Sequence, residues 1–426
     1  MIPAEKETGI RVTGEKERKA ENRQRWLVFL TAGLCVLGAM AVLASFTGMW
    51  PWKKNSYNTY TLQALSWLQG RLDLGRNYTW LELAIYEGKY YVSFPPFPSV
   101  LMLPFAAVFG ERTPDGWIAL AVALVGVWHI CALCREEGRS RNTAVAGTLF
   151  LMLCNGWLWI TLNGYVWFFA QNCCFTLCCM SLYHAVRGRG CLSLGLWACA
   201  VGCRPMTAVF LPVLLWFLLR KEREAHPDTP WIRLLIRKAY WLAPAAVIGA
   251  GYMLLNALRF GNPLEFGHNY LPEFVRAEQG QFDLSYLGKN LLKLIRFPVF
   301  QDGNPESYLL WYPIDGVGVY LVNPIFLIAP VAWIHGLRHR RKELRGLLVL
   351  LPLCTAAYVT IVCMHRTMGG WAFGNRYLLE TMPFVFAGML AEKPESERMI
   401  RICLPYALLC MMINLLGTVT TYNHWI

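Results

Sequence analysis

Three polar segments of the chain hold the residues whose types and spacing could do chemistry. The longest, 51–115, contains NSYNTYTLQALSWLQGRLDLGRNYTWLELAIYEGKYYVSFPPFPSVLMLPFAAVFG from Asn55 to Gly110. It offers the carboxylates Asp73, Glu82 and Glu87, the cations Arg71, Arg76 and Lys89, and the rings of Tyr86, Tyr90 and Tyr91. A carboxylate among cations and aromatic rings suits a sugar-phosphate site. The carboxylate takes a proton from a hydroxyl, cations hold a leaving phosphate, and rings stack on the sugar. A solvated loop with a tyrosine belt is the plainer reading.

Glu82 is the first candidate base, because a proline-rich stretch tethers its segment. Asp73 in GRLDL is second, since an acid two residues after Arg71 also suits a local pair. Glu87 precedes Gly88 in an exposed-turn pattern and ranks last. Arg204 stands alone in an apolar hairpin, where a charge is costly and points to a cavity or an anionic partner; a snorkelling anchor is the alternative. Arg376, followed by Tyr377, comes after Gly369, Gly370 and Gly374. Glycine lets backbone approach a ligand and arginine grips phosphate; a structural link to Glu380, one turn on, is the alternative. Lys89, Tyr90, Tyr91, Arg204, Arg376 and Tyr377 are therefore the expected substrate-binding residues, with Lys89 and both arginines lining one pocket. His268 and His365 belong to no spaced ligand set, so no metal site is assigned, and a divalent ion beside the carboxylate stays open.

The elements that must position these residues are membrane helices. Of 426 residues, 56% are hydrophobic and only 16% charged, where a soluble chain is about one-quarter charged. Apolar runs near 26–50, 116–134, 143–162, 165–185, 191–203, 205–219, 239–258, 316–334, 346–364, 377–391 and 402–420 predict an all-α integral membrane protein with about 11 spans. The pair 191–219 is a tight hairpin broken at Gly202-Cys203-Arg204-Pro205, and Phe94 to Gly110, with four prolines, is a half-inserted helix. Residues 1–25 form a basic tail and 26–426 one polytopic domain. With the N-terminus inside, 26 of the 40 Lys and Arg fall in the cytoplasmic segments, as the positive-inside rule requires. That sorting accounts for the +13 charge without nucleic acid. It places 51–115, 259–315, 365–376 and the C-terminus outside. The 15 cysteines are scattered through apolar runs and make no disulfide framework.

QGRLDL, LELAIYEGKYYVSFPPFPSVLMLPFAAVFG, NALRFGNPLEFG and GGWAFGNRYLLETMPF together resemble bacterial multi-pass proteins of the GT-C glycosyltransferase superfamily, of the protein mannosyltransferase and aminoarabinose transferase type. The resemblance runs from about Trp26 to Pro383. It implies a polyprenyl-phosphate-linked sugar donor, inverting transfer to an envelope glycan, lipid or protein on the outer face, and a catalytic acid in the first external loop. The superfamily usually has an aspartate just after the first helix. Here that stretch reads WPWKKNSYNTY, with Asn55 and Asn58, and the acid of the GKYY block is Glu82. Two alternatives stand beside transfer: a flippase for a lipid-linked sugar, and a non-catalytic GT-C relative in envelope assembly.

Overall fold

The computed structural model describes residues 4–162, 164–297, 299–300, 309–310, 317–338, 344–370 and 373–424; for 4–18, 299–300, 309–310, 337 and 393–400 it describes the backbone alone. Among the described residues, six helices are long and apolar enough to cross a membrane: Lys19–Thr47, Asp115–Glu136, Val166–Val186, Ala239–Phe260, Arg345–Met364 and Arg401–Tyr422. In chain order, the elements of the first half are α1 (Ala4–Thr47), α2 (Thr59–Leu68), β1 (Leu83–Tyr86), β2 (Lys89–Val92), α3 (Phe97–Phe109), α4 (Asp115–Glu136), α5 (Arg141–Leu153), α6 (Trp157–Thr161), α7 (Val166–Val186) and α8 (Gly190–Val201). The second half adds α9 (Leu211–Ala225), α10 (Trp231–Arg237), α11 (Ala243–Phe260), α12 (Pro272–Val275), α13 (Ser285–Ile295), β3 (Val299–Phe300), β4 (Leu309–Leu310), α14 (Val319–Val322), α15 (Ile325–Arg338), α16 (Arg345–Met364), α17 (Met382–Ala391) and α18 (Lys393–Tyr422). The other expected crossings coincide with the shorter helices α5, α8, α9, α15 and α17.

The bundle is built around α7, which is buried along almost its whole length. Its neighbours are α4 and α8. Polar residues of α7 staple it to α4: Asn172 Nδ2 donates to the Ala119 carbonyl at 2.8 Å and Thr176 Oγ1 to that of Val122 at 3.1 Å. Both helices keep their own backbone ladders, so these bonds satisfy side chains that lipid could not. Gly126 permits the close approach, because a Cβ there would sit 2.8 Å from Thr176 Oγ1.

The two ends of the bundle differ. One end carries paired charges, with Arg25 Nη2 2.8 Å from Glu136 Oε2, Arg135 Nη2 2.7 Å from Glu21 Oε2 and Lys238 Nζ 2.6 Å from Glu222 Oε1. The other gathers the loops after α1, α11 and α16. There α2 lies on α3 through Ser99 Oγ donating to Gln63 Oε1 at 2.7 Å. Thr61 Oγ1 donates to the buried Asp115 at the start of α4 at 2.5 Å.

Against the all-helical expectation, the described residues include two small antiparallel strand pairs. β1 pairs antiparallel with β2, Tyr86 opposite Lys89, and the connecting residues Glu87 and Gly88 both have positive φ, 49° and 73°. This is the mirror-image turn that fits strand twist, and Gly88 adopts it freely. β3 and β4 form the second pair.

The proline-rich segment becomes α3, with prolines at its first turn and Pro104 within it. Its first amide, Phe97 N, donates to the Gly202 carbonyl at 3.0 Å. The segment 191–219 is broken where its sequence breaks. α8 ends at Val201, Arg204 is extended (φ −144°, ψ 98°), and a 3-10 turn over Pro205–Phe210 leads into α9.

Candidate active site

A cleft opens at the loop end in two adjoining lobes, of about 330 and 310 Å³. Phe94, Trp167, His268, His365 and Tyr377 line both. The first lobe adds Tyr60, Arg204, Glu265 and Gln281; the second adds Glu82, Glu273, Phe168 and Arg376. Aromatic rings are thus shared by the two lobes, and each lobe holds both charges: Arg204 and Glu265 in the first, Arg376 with Glu82 and Glu273 in the second.

Glu82 lies just before β1. Trp80 Nε1 donates to the Ser56 carbonyl at 3.0 Å, and Leu81 N to that of Tyr78 at 2.9 Å, which fixes the approach. Glu82 Oε2 accepts from Trp167 Nε1 at 2.8 Å, at the start of α7. The carboxylate stays open to the cleft, but protein crowds its other sides. That partial desolvation raises its pKa above the usual carboxylate value; Glu273 adds to the rise, while the Trp167 bond and Arg376 oppose it. A carboxylate shifted upward is a better base for a hydroxyl near neutral pH.

Arg204 reaches the first lobe from the hairpin tip. Its Nε donates to Glu380 Oε1 at 3.0 Å, and its guanidinium lies 4.6 Å from the Tyr377 ring centroid. Its two terminal amino groups make no hydrogen bond among the described residues and are not sealed from the cleft. Glu380 is completely buried and also accepts from Gln171 Nε2 at 2.9 Å and Tyr358 OH at 3.1 Å. Arg376 enters the second lobe from the neighbouring turn. Its Nε donates to the Gly369 carbonyl at 2.5 Å and Nη1 to Gln171 Oε1 at 2.8 Å. Its guanidinium lies 4.9 Å from the same Tyr377 ring and 5.3 Å from that of Phe168.

The structure therefore brings Glu82, Arg204, Arg376 and Tyr377 to one cleft, Arg204 and Arg376 in adjoining lobes rather than one pocket. Glu380, the alternative partner for Arg376, pairs with Arg204 instead, and Gln171 links both. The other candidates lie elsewhere. Lys89 is exposed beside the hairpin turn, because the two-residue connection fixes its register opposite Tyr86. Tyr91 packs on Phe260 at 5.2 Å, Tyr90 is half-buried against the main core, and neither lines the cleft. Asp73 spends its Oδ1 on the Gly75 amide at 2.6 Å, a local turn. Sequence reasoning passed over Trp167, Gln171, Glu273 and Tyr358 as site residues. Gln171 had a signal, an amide in the middle of an apolar run. Of the acids in the 259–315 segment, Glu265 lines the first lobe and Asp283 accepts from the Ser285 amide at the start of α13; Asp302 lies outside the described residues. Among the described residues no three His, Cys, Asp or Glu come together as metal ligands.

No family model and no curated protein sequence matches the chain. Among solved structures it is similar to ArnT from Cupriavidus metallidurans bound to undecaprenyl phosphate, with a TM-score of 0.52 and 14% identity over 92% of this chain and 76% of that one. It is also similar to the apo state of that protein, at a TM-score of 0.49 and 13% identity over 92% and 77%. The Archaeoglobus fulgidus oligosaccharyltransferase in its apo form gives a TM-score of 0.42 and 12% identity over 91% of this chain, which spans 56% of that protein's length. ArnT and the oligosaccharyltransferase are both GT-C membrane glycosyltransferases. The likeness to ArnT is one of fold, and the fold that the GKYY and GNRYLLETMP blocks implied is the fold found.

Proposed function

From the GT-C fold, we propose that this chain transfers a sugar from a polyprenyl-phosphate donor to a hydroxyl of an envelope acceptor, with inversion, at the outer face of the membrane. Glu82 is the base. The acceptor oxygen attacks the anomeric carbon and passes its proton to the Glu82 carboxylate. The bond from that carbon to the phosphate oxygen breaks, and polyprenyl phosphate leaves. The free amino groups of Arg204 take the phosphate charge, which grows as the bond breaks. Tyr377, Trp167 and Phe94 supply faces for the sugar between them.

The observation that carries this reading is one open, upward-shifted carboxylate and one partly free guanidinium in adjoining lobes that share aromatic rings. The outer-face assignment is supported by the loop end, which carries the polar segments, while most Lys and Arg of the sequence lie in the opposite loops. Asn55 and Asn58, standing where relatives have an early acid, favour a second reading, a catalytically silent GT-C protein. Purified protein in lipid nanodiscs, given undecaprenyl-phosphate-linked hexoses and pentoses, decides between them. Release of undecaprenyl phosphate that Glu82→Gln abolishes supports transfer. A well-folded protein that binds donors and turns over none is the silent relative.

A further inference from the structure

His268 stands at the junction of the two lobes and contacts both. Its position is closely determined. The preceding Gly267 has φ 96°, and a Cβ there would come within 2.6 Å of Phe260. Glu265 clamps the same turn, accepting from Gly267 N at 2.6 Å and Asn269 Nδ2 at 2.7 Å. The imidazole is flanked by Phe94 and Phe274, with centroids 5.5 and 5.1 Å away.

His268 Nδ1 lies 3.2 Å from the Ser93 carbonyl. A carbonyl only accepts, so Nδ1 carries the hydrogen and a neutral ring leaves a lone pair on Nε2. Nε2 has no partner among the described residues and is not sealed from the cleft. Burial, assisted by Arg204, lowers the pKa of this histidine to about 4, so the ring stays neutral at physiological pH. Its neighbour His365 does not compete, since its Nδ1 bonds within Thr367 and its Nε2 faces Gln281 at 3.1 Å.

We infer that His268 Nε2 is a fixed hydrogen-bond acceptor that recognises a hydroxyl of the transferred sugar ring at the junction of the lobes. This deepens the proposed function and rests on it. The weak basicity of Nε2 makes it a poor proton acceptor, which leaves base chemistry to Glu82 and gives His268 a role in choosing and orienting the ring. An unpaired polar atom in a crowded cleft favours a ligand that bonds to it over one that does not.

The test compares undecaprenyl phosphate alone with undecaprenyl-phosphate-linked mannose, glucose and galactose, their binding read by tryptophan fluorescence in nanodiscs. The expected result is that at least one hexosyl donor binds about tenfold tighter than undecaprenyl phosphate, one hydrogen bond's worth. His268→Phe, which keeps a ring between Phe94 and Phe274, loses that increment and keeps the affinity for undecaprenyl phosphate. His268→Gln, whose carbonyl oxygen can accept, recovers part of it. An increment that survives His268→Phe overturns the inference, as does the absence of any increment for all three sugars. Nitrogen-15 spectra of histidine-labelled protein give a readout without ligand: a hydrogen on Nε2 rather than Nδ1 also overturns it. Failure to bind undecaprenyl phosphate at all is a different result and counts against the proposed function itself.

Discussion

Replacing Glu380 by Gln removes one charge and almost no volume. Glu380 has 0% exposure and serves three donors, Arg204 Nε, Gln171 Nε2 and Tyr358 OH, within 3.1 Å. The amide retains one acceptor oxygen and turns an NH₂ toward groups that are themselves donors. It also leaves Arg204 without its counter-charge. Deleting one partner of a buried pair costs about 3–5 kcal/mol. The Arg204 side chain is 19% exposed to the cleft, so water relieves part of its charge and the expected loss is near the lower end, about 3 kcal/mol. Arg204→Met leaves the wholly buried Glu380 carboxylate unpaired, and the same reasoning puts that loss at the upper end, about 5 kcal/mol. The double variant Arg204→Met with Glu380→Gln buries no charge and is expected to be more stable than Arg204→Met alone. Denaturant unfolding in detergent micelles, followed by tryptophan fluorescence at pH 7, measures all four corners of the cycle. A double variant whose loss equals the sum of the single losses would refute the coupling, and with it the claim that Glu380 holds Arg204 in place.

Glu82→Gln is expected to slow transfer by about two to four orders of magnitude while donor binding survives. In the parent, activity should fall as pH drops through the Glu82 pKa, which lies above the ordinary carboxylate value; a limb at or below that value contradicts the role. Arg204→Lys should weaken donor binding, because a point charge cannot reproduce the guanidinium fork and cannot both meet Glu380 and reach the cleft; unchanged affinity for undecaprenyl phosphate removes Arg204 from phosphate binding. His365 is buried and neutral, its pKa lowered from 6.5 to about 3 mainly by burial. An unfolded chain takes up that proton below pH 6.5 and the folded chain does not. Stability is therefore full above that value and falls with pH, by about 2 kcal/mol by pH 5; in His365→Asn the slope over that window should shrink. A reporter fused near Asn290 should read as extracytoplasmic, and a cytoplasmic signal would invert the assignment of the two ends.

The sequence revealed more of the scaffold than of the site, for a physical reason. Membrane helices announce themselves by length and apolarity, so the long runs at 26–50, 116–134, 165–185, 239–258, 346–364 and 402–420 coincide with α1, α4, α7, α11, α16 and α18. Glu82 and Arg376 stand out as candidates because each lies in a distinctive local block, and Arg204 because a lone charge in an apolar hairpin asks for a partner; all three line the cleft. That its partner is Glu380 was not legible, since the pair spans 176 residues and no local spacing encodes it. Spacing alone offers Arg376 as a mate for Glu380 four residues on, but a 3-10 turn over Arg376–Thr381 replaces the α-helical register that would have joined them. Lys89 failed as a site residue through its turn: a two-residue connection sends it to the surface, which composition alone does not show.

The long separation between Arg204 and Glu380 also bears on how the protein is made. The chain emerges from the ribosome N-terminus first, so Arg204 enters the membrane well before Glu380 has been synthesised. Throughout that interval the hairpin of α8 and α9 carries an uncompensated guanidinium. Such a charge is tolerated near the headgroups, where water reaches it, and not at mid-bilayer depth. The Gly202-Cys203-Arg204-Pro205 break makes each arm short, which suits a tip at headgroup level. The polar cluster at the heart of the cleft is thus among the last parts to close, when the Arg376–Thr381 turn arrives and Glu380 docks between Arg204, Gln171 and Tyr358. A truncated chain ending before Glu380 therefore carries a complete hairpin whose guanidinium still lacks its buried counter-charge.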